Sequence, residues 1–173
     1  AAYDADPSVV AAVEQAARWL AAAGCEVQEV EPPHFEEGAH LWRQLVMDDM
    51  RRGGLPAVES MGDAGVRSAL RGYLNGLGAL DANGLMEAQQ RRYSICRDWA
   101  VMLEPDASSP GAGGHDVLLM PVSWQRQFAI DADVGEPERV HRLLAAQSPL
   151  LGTAMMGLPG LAVPTGLAAG LPT

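Results

Sequence analysis

Apolar residues in this chain recur mostly at intervals of three and four, the spacing that lines one face of an α-helix, and they run on or alternate in only three short stretches. Val9, Val13, Ala16 and Leu20 form the apolar face of a first helix, with Asp6 placed to cap it, Pro7 suited to its first turn and Gly24 to its end. Residues 36–52 predict a second helix, with Trp42, Leu45, Val46 and Met50 on one side and Gly53-Gly54 as its stop. A shorter helix is predicted over about 63–75, carrying Leu70, Tyr73 and Leu74, with Leu77 continuing its apolar side. The longest, 81–104, spaces Leu85, Ala88, Ile95, Trp99 and Met102 by helical turns and ends at Pro105. Residues 138–147 predict another helix, and Ser148-Pro149 reads as a fresh cap and first-turn proline that starts a last one through Met156.

The three exceptions predict strands. Residues 26–31 alternate imperfectly, with Val27 and Val30 on opposite faces, and stop at Pro32-Pro33, so an edge or partly buried strand is expected. Residues 116–122 hold the unbroken run Val117-Leu118-Leu119-Met120, which suits a central strand with Leu118 and Leu119 buried on opposite faces. Residues 161–163 make a third, between two turn sequences. The expected fold class is therefore α/β: layered and helix-rich, with a short mixed sheet covered by helices.

Composition narrows the classes. At 173 residues the chain suits one domain and can bury roughly 70% of its unfolded surface. A hydrophobic content of 48% against 20% charged residues excludes general disorder. The formal charge of −10 argues against a nucleic-acid partner, which calls for a basic stripe. No apolar run reaches membrane-spanning length, so no membrane partner is expected. Cys25 and Cys96 are far apart and read as two reduced thiols, which places the protein in the cytoplasm. Abundant Ala, Gly and Arg, with no Lys among the 12 basic residues, suggest a GC-rich, bacterial genome.

Residue chemistry offers few sites on its own. Ser108-Ser109-Pro110-Gly111-Ala112-Gly113-Gly114 has the composition of a catalytic loop, but Pro110 stands where backbone freedom is needed. The loop also follows a helix and precedes a strand, the reverse of an anion-binding turn, so a plain surface loop is expected. His34, His40, His115 and His141 lack metal-ligand spacing, and neither a metal nor a cofactor is expected. Asp48-Asp49 beside Arg51-Arg52 reads as a solvated helix end. Trp124 differs from the helical tryptophans. It follows a strand directly, where α/β sheets form their binding crevices, though covering the sheet edge is the more ordinary role for a Trp there.

The C-terminal stretch is the most specific. Gly157-Leu158-Pro159-Gly160-Leu161-Ala162-Val163-Pro164-Thr165-Gly166-Leu167, followed by Gly170-Leu171-Pro172-Thr173, resembles the C-terminal signature of the amidase signature family. Asp116-Val117-Leu118-Leu119-Met120-Pro121-Val122 looks like that family's buried strand followed by Pro, and the helix, Gly, strand and Pro-Pro of residues 6–33 are similar to the region just beyond its catalytic core. The resemblance covers about 6–33 and 116–173 and is silent over the variable helical region, about 34–105.

Members of that family are serine hydrolases that cleave amide C–N bonds with a Ser–Ser–Lys triad. The resemblance implies an α/β/α fold, a small amide substrate and no cofactor. It also implies that residues 1–173 form a single-domain, C-terminal portion of such a hydrolase, inactive alone. The chain has no Lys and no Gly/Ser-rich nucleophile stretch of the family's type, and Arg cannot serve as the base because its guanidinium stays protonated. Trp124, Thr153 and Met156 are the candidate substrate-binding residues, as one wall of an acyl channel. Ala154 departs from the Asn that many members carry five positions before the Pro of the Gly-Leu-Pro turn. Two other readings fit: the amidase component of a glutamine-dependent amidotransferase, and a non-catalytic helical binding or scaffold module. The family's sheet continues beyond the second Gly-Leu-Pro. An exposed sheet edge is therefore expected here, hidden by self-association or leaving residues from about Thr165 poorly ordered.

Overall fold

A computed structural model describes residues 5–104 and 114–173; most of the Ser/Gly-rich loop lies outside the described residues. The order is α1 (Pro7–Ala22), α2 (Phe35–Asp49), a π-helical turn (Met50–Gly54), α3 (Leu55–Met61), α4 (Ala64–Leu74), α5 (Ala82–Leu103), α6 (Pro137–Ala146), α7 (Ser148–Met156), β1 (Leu167–Ala168) and β2 (Leu171–Pro172).

Asp6 caps α1 as expected, whereas the cap expected at Ser148 is not formed: Ser148 is the first residue of α7, and Gln147 before it makes no side-chain capping bond. Asp6 accepts from the Ser8 amide at 2.9 Å, Asp63 from Val66 at 2.8 Å and Asp81 from Gly84 at 2.7 Å, each satisfying a donor that the first turn cannot. Gly157 ends α7 in the left-handed conformation, φ 69°, which glycine adopts without a Cβ clash. One expected stop is absent: the chain does not turn away at Gly53-Gly54 but passes through them as a wide turn into α3. Pro56 sits in the first turn of α3, where its missing N–H costs nothing.

Two adjoining sets of side chains form the core. Leu41, Ile95, Trp99, Met155 and Met156 join α2, α5 and α7; Ala39, Val140, Leu144 and Leu151 join α2, α6 and α7. Helices α2 and α7 approach closely because Gly38 and Gly152 face each other. A Cβ added at Gly152 would lie 3.2 Å from the Phe35 carbonyl oxygen, tighter than ordinary packing. Trp99, 1% exposed, donates its Nε1–H to the Pro33 carbonyl at 2.7 Å and stacks on Phe35 with centroids 6.4 Å apart.

The strand expectations need correction. Residues 26–31, 116–122 and 161–163 belong to no ladder, and among the described residues the sheet is only the antiparallel pair Leu167↔Pro172 and Ala168↔Leu171. The central strand with both leucines buried is not found. Leu118 packs on the Trp99 cluster, whereas Leu119 is exposed and Val117 is 77% exposed. A strand becomes one only when neighbours accept its backbone hydrogen bonds, and nothing among the described residues does so. The result is helix-rich, compatible with a helical α/β class. The end of the chain is closed by Thr165 donating to the Thr173 carbonyl at 2.6 Å and Thr173 returning to Gly166 at 3.0 Å. Gln127 holds the Pro172 carbonyl.

Candidate functional site

Trp124 sits at a junction. Its amide donates to the Ala146 carbonyl at the end of α6, its carbonyl accepts from Asp6 before α1, both at 2.8 Å, and its Nε1–H donates to Ser148 Oγ at 2.9 Å. Its ring meets Phe35 edge-on, centroids 6.3 Å apart, so Trp99, Phe35 and Trp124 make an aromatic row. Arg126 adds an ion pair with Asp6 at 3.0 Å, and Asp6 titrates below its ordinary range chiefly because Ser8 hydrogen-bonds it. These contacts tie α1 to the α6–α7 corner.

The other two candidate residues lie along α7. The Thr153 hydroxyl turns back to the carbonyls of Pro149 and Leu150, each at 3.1 Å, and is half-buried. Met156 is buried in the first core cluster. Eight residues separate Ser148 from Met156, about 12 Å along a helix, so Trp124 and Met156 stand at opposite ends of α7 with Thr153 between them. The structure aligns the three along one helix and does not converge them on one cleft. Helix α5 holds the far end of α7: Arg92 Nε donates to the Met155 carbonyl at 2.8 Å and Cys96 Sγ reaches the Met156 carbonyl at 4.0 Å. Beyond it the motif segment runs exposed, with Leu161 87% and Val163 64% accessible.

Two small clefts flank α6. One, about 230 Å³, is lined by Phe128, Arg139, Arg142 and Leu143 among others. The other, about 170 Å³, lies where α2, α6 and α7 meet and is lined by His40, Arg43, His141 and Ser148 among others. In the second, Arg43 gives two hydrogen bonds to the Tyr73 carbonyl, 3.0 and 2.8 Å, and one to Asn75 at 2.6 Å; burial lowers its pKa. Its guanidinium is thus largely spent on the end of α4. Sequence reasoning missed the lining of the first cleft, although Arg139 and Arg142, three apart on a predicted helix, were a legible signal.

The helix end expected to be solvated is instead a buried polar knot. Asp48 is only 2% exposed; it accepts the Leu80 amide at 2.9 Å and pairs with Arg52 at 2.8 Å, and these two, in that order, hold its carboxyl below the usual range. Arg51 and Gln44 bind the Gly78 carbonyl, Arg51 also Leu77, and Arg52 Leu80. Together they strap the α4–α5 linker onto α2. The histidines are split: His34 lies 3.1 Å from Asp98 and 3.1 Å from Arg91, which in turn grips Glu37, and His141 touches Arg43. No metal-binding group of three occurs among the described residues, both cysteines are free thiols, and no helix described is long and apolar enough to cross a membrane.

Comparison with known proteins adds what geometry alone does not. The chain is 27% identical over 173 residues to an indoleacetamide hydrolase of Bradyrhizobium japonicum, covering 98% of this chain and 35% of that protein. It is also 27% identical to a glutamyl-tRNA(Gln) amidotransferase subunit of Salinispora tropica, over 97% of this chain and 37% of the relative. The corresponding subunit of Ligilactobacillus salivarius matches at 25%, over 96% of this chain and 37% of the relative. The chain therefore spans about a third of the length of the curated relatives it matches. No protein-family model and no solved structure matches it. The relatives are distant amidase-signature enzymes, and the likeness extends through the helical region on which the motifs were silent.

Proposed function

We propose that these 173 residues are a structural portion of an amidase-signature hydrolase, supplying strand segments, covering helices and one wall of the channel that admits a small amide. The observation that carries this reading is the alignment of indoleacetamide hydrolase and glutamyl-tRNA(Gln) amidotransferase over nearly the whole chain. The amidase-like segments 116–122 and 161–163 are also left without ladder partners, as strands separated from their neighbours would be. In the complete enzyme a serine activated through the second Ser and a Lys attacks the amide carbonyl. The C–N bond breaks as the amine takes up a proton, and water then cleaves the acyl-serine. This chain holds neither the Lys nor a nucleophile stretch of that type; Trp124 and Thr153 would border the channel, with Met156 behind it.

The amidotransferase relatives favour a second reading in which the amide is that of glutamine and ammonia passes to a partner's substrate. Expressing the whole reading frame that contains these residues, and measuring ammonia released from aryl and aliphatic amides and from glutamine, tests both. Release from simple amides without partners supports the first, and release confined to glutamine the second. A frame without a Lys–Ser–Ser set and without ammonia release would leave a helical binding module as the reading. The 173-residue chain alone is expected to release none.

A further inference from the structure

We infer that the cleft between α6 and residues 125–132 is a binding site for a small aryl carboxylate. Its floor is apolar: Phe128, Leu143 and Ala146 line it, and Phe128 is 37% exposed. Its rim is cationic. Arg139 and Arg142, three residues apart, lie on the same side of α6, where two like charges repel unless an anion lies between them.

The two arginines are not equivalent. Arg139 is fixed by donating to the Val134 carbonyl at 3.0 Å and the Asp131 carbonyl at 3.3 Å. Arg142 has neither an acid nor a carbonyl partner among the described residues, and Glu138, one turn before it, forms no ion pair with it. In a chain of net charge −10 this is uncommon; among the described residues only Arg71 shares it, and Arg71 lines neither cleft.

A planar guanidinium presents paired N–H donors that match the two oxygens of a carboxylate. At about 230 Å³ the cleft is smaller than the roughly 300 Å³ at which drug-sized sites begin, a size that suits one ring with a short acid arm. The ring would lie on Phe128 and Leu143, with the carboxylate on Arg142. Binding is read without turnover, so the inference stands or falls separately from the hydrolase reading.

The test is a calorimetric or ligand-observed NMR titration of the purified chain, at low salt, with phenylacetate. Phenylacetamide lacks the charge and acetate lacks the ring. Phenylacetate, with its ten non-hydrogen atoms, should bind with a Kd of about 6 mM at the efficiency usual for small ligands, and both comparators about tenfold more weakly. Arg142→Gln should weaken phenylacetate about tenfold while leaving thermal unfolding unchanged, and Phe128→Ala should weaken it without restoring acetate. No saturable binding, equal binding of acetate, or an unchanged affinity in Arg142→Gln would each overturn the site.

Discussion

The helical interior and the three strand-like segments have similar apolar content but opposite fates. Around Trp99 and Ile95, four helices close their own backbone hydrogen bonds and need one another only for side-chain packing. Residues 26–31, 116–122 and 161–163 cannot close theirs, and Val27, Val117, Val122, Leu161 and Val163 face solvent. Helix α1 stands between these cases: regular, capped, yet without a buried residue. Autonomy of hydrogen bonding, more than hydrophobicity, divides the regions.

The sharpest way to break this comparison is at Trp99. Trp99→Ala should cost about 3–5 kcal/mol in urea unfolding, because it removes a fully buried ring and orphans the Pro33 carbonyl. A loss below about 1 kcal/mol would mean that the helical core is no tighter than the exposed segments.

Asp48 comes next. Asp48→Ala leaves the Leu80 amide and Arg52 without their buried acceptor and should cost about 1–3 kcal/mol. The pH dependence has a definite sign. The folded pKa lies below the ordinary 3.8, so near and below that value the unfolded chain binds more protons. The stabilisation is fully present above about pH 4 and is lost as pH falls through the folded pKa. Unfolding followed from pH 6 to 2 should show this decline in the wild type and a shallower one in Asp48→Asn.

How much of this is legible in the sequence follows the same division. Asp6, Asp63 and Asp81 announce three helix starts, because a cap depends on one side chain and its own next turn. Ile95 and Trp99 announce the core, because helical spacing fixes the inward face. The burial of Asp48 is hidden, because its partner Leu80 is 32 residues away and adjacency to Arg51 and Arg52 suggests only solvent. The 116–122 run misleads for a related reason: Leu118 faces the core and Leu119 does not, and two-sided burial requires a second layer that no local pattern supplies. Of the candidate site, Trp124 stands directly after a strand-like segment as its position suggests, but its engagement with Ser148 and Phe35 depends on contacts no spacing reveals.

Leu118 measures the boundary between the regions. A fully buried Leu→Ala substitution costs about 2–5 kcal/mol; Leu118 is covered on one side only, so Leu118→Ala should fall below that range, at about 1–2 kcal/mol. A value near 4 kcal/mol would place residues 116–122 inside a closed layer after all.

The smallest effect is the most discriminating. Val117→Ser and Leu161→Ser alter side chains 77% and 87% exposed, and each should change the stability of this chain by no more than about 0.5 kcal/mol. If the segments pair with strands of a longer polypeptide, the same substitutions made in the whole reading frame remove apolar surface from a covered sheet, and each should then cost about 1–3 kcal/mol and lower expression. Comparing chemical unfolding of each variant in the two contexts isolates the contribution of the absent neighbours, since the helical core is common to both. Equal, negligible effects in both would show that these segments stay exposed in the longer protein, and would remove the structural basis for reading them as sheet strands of a hydrolase.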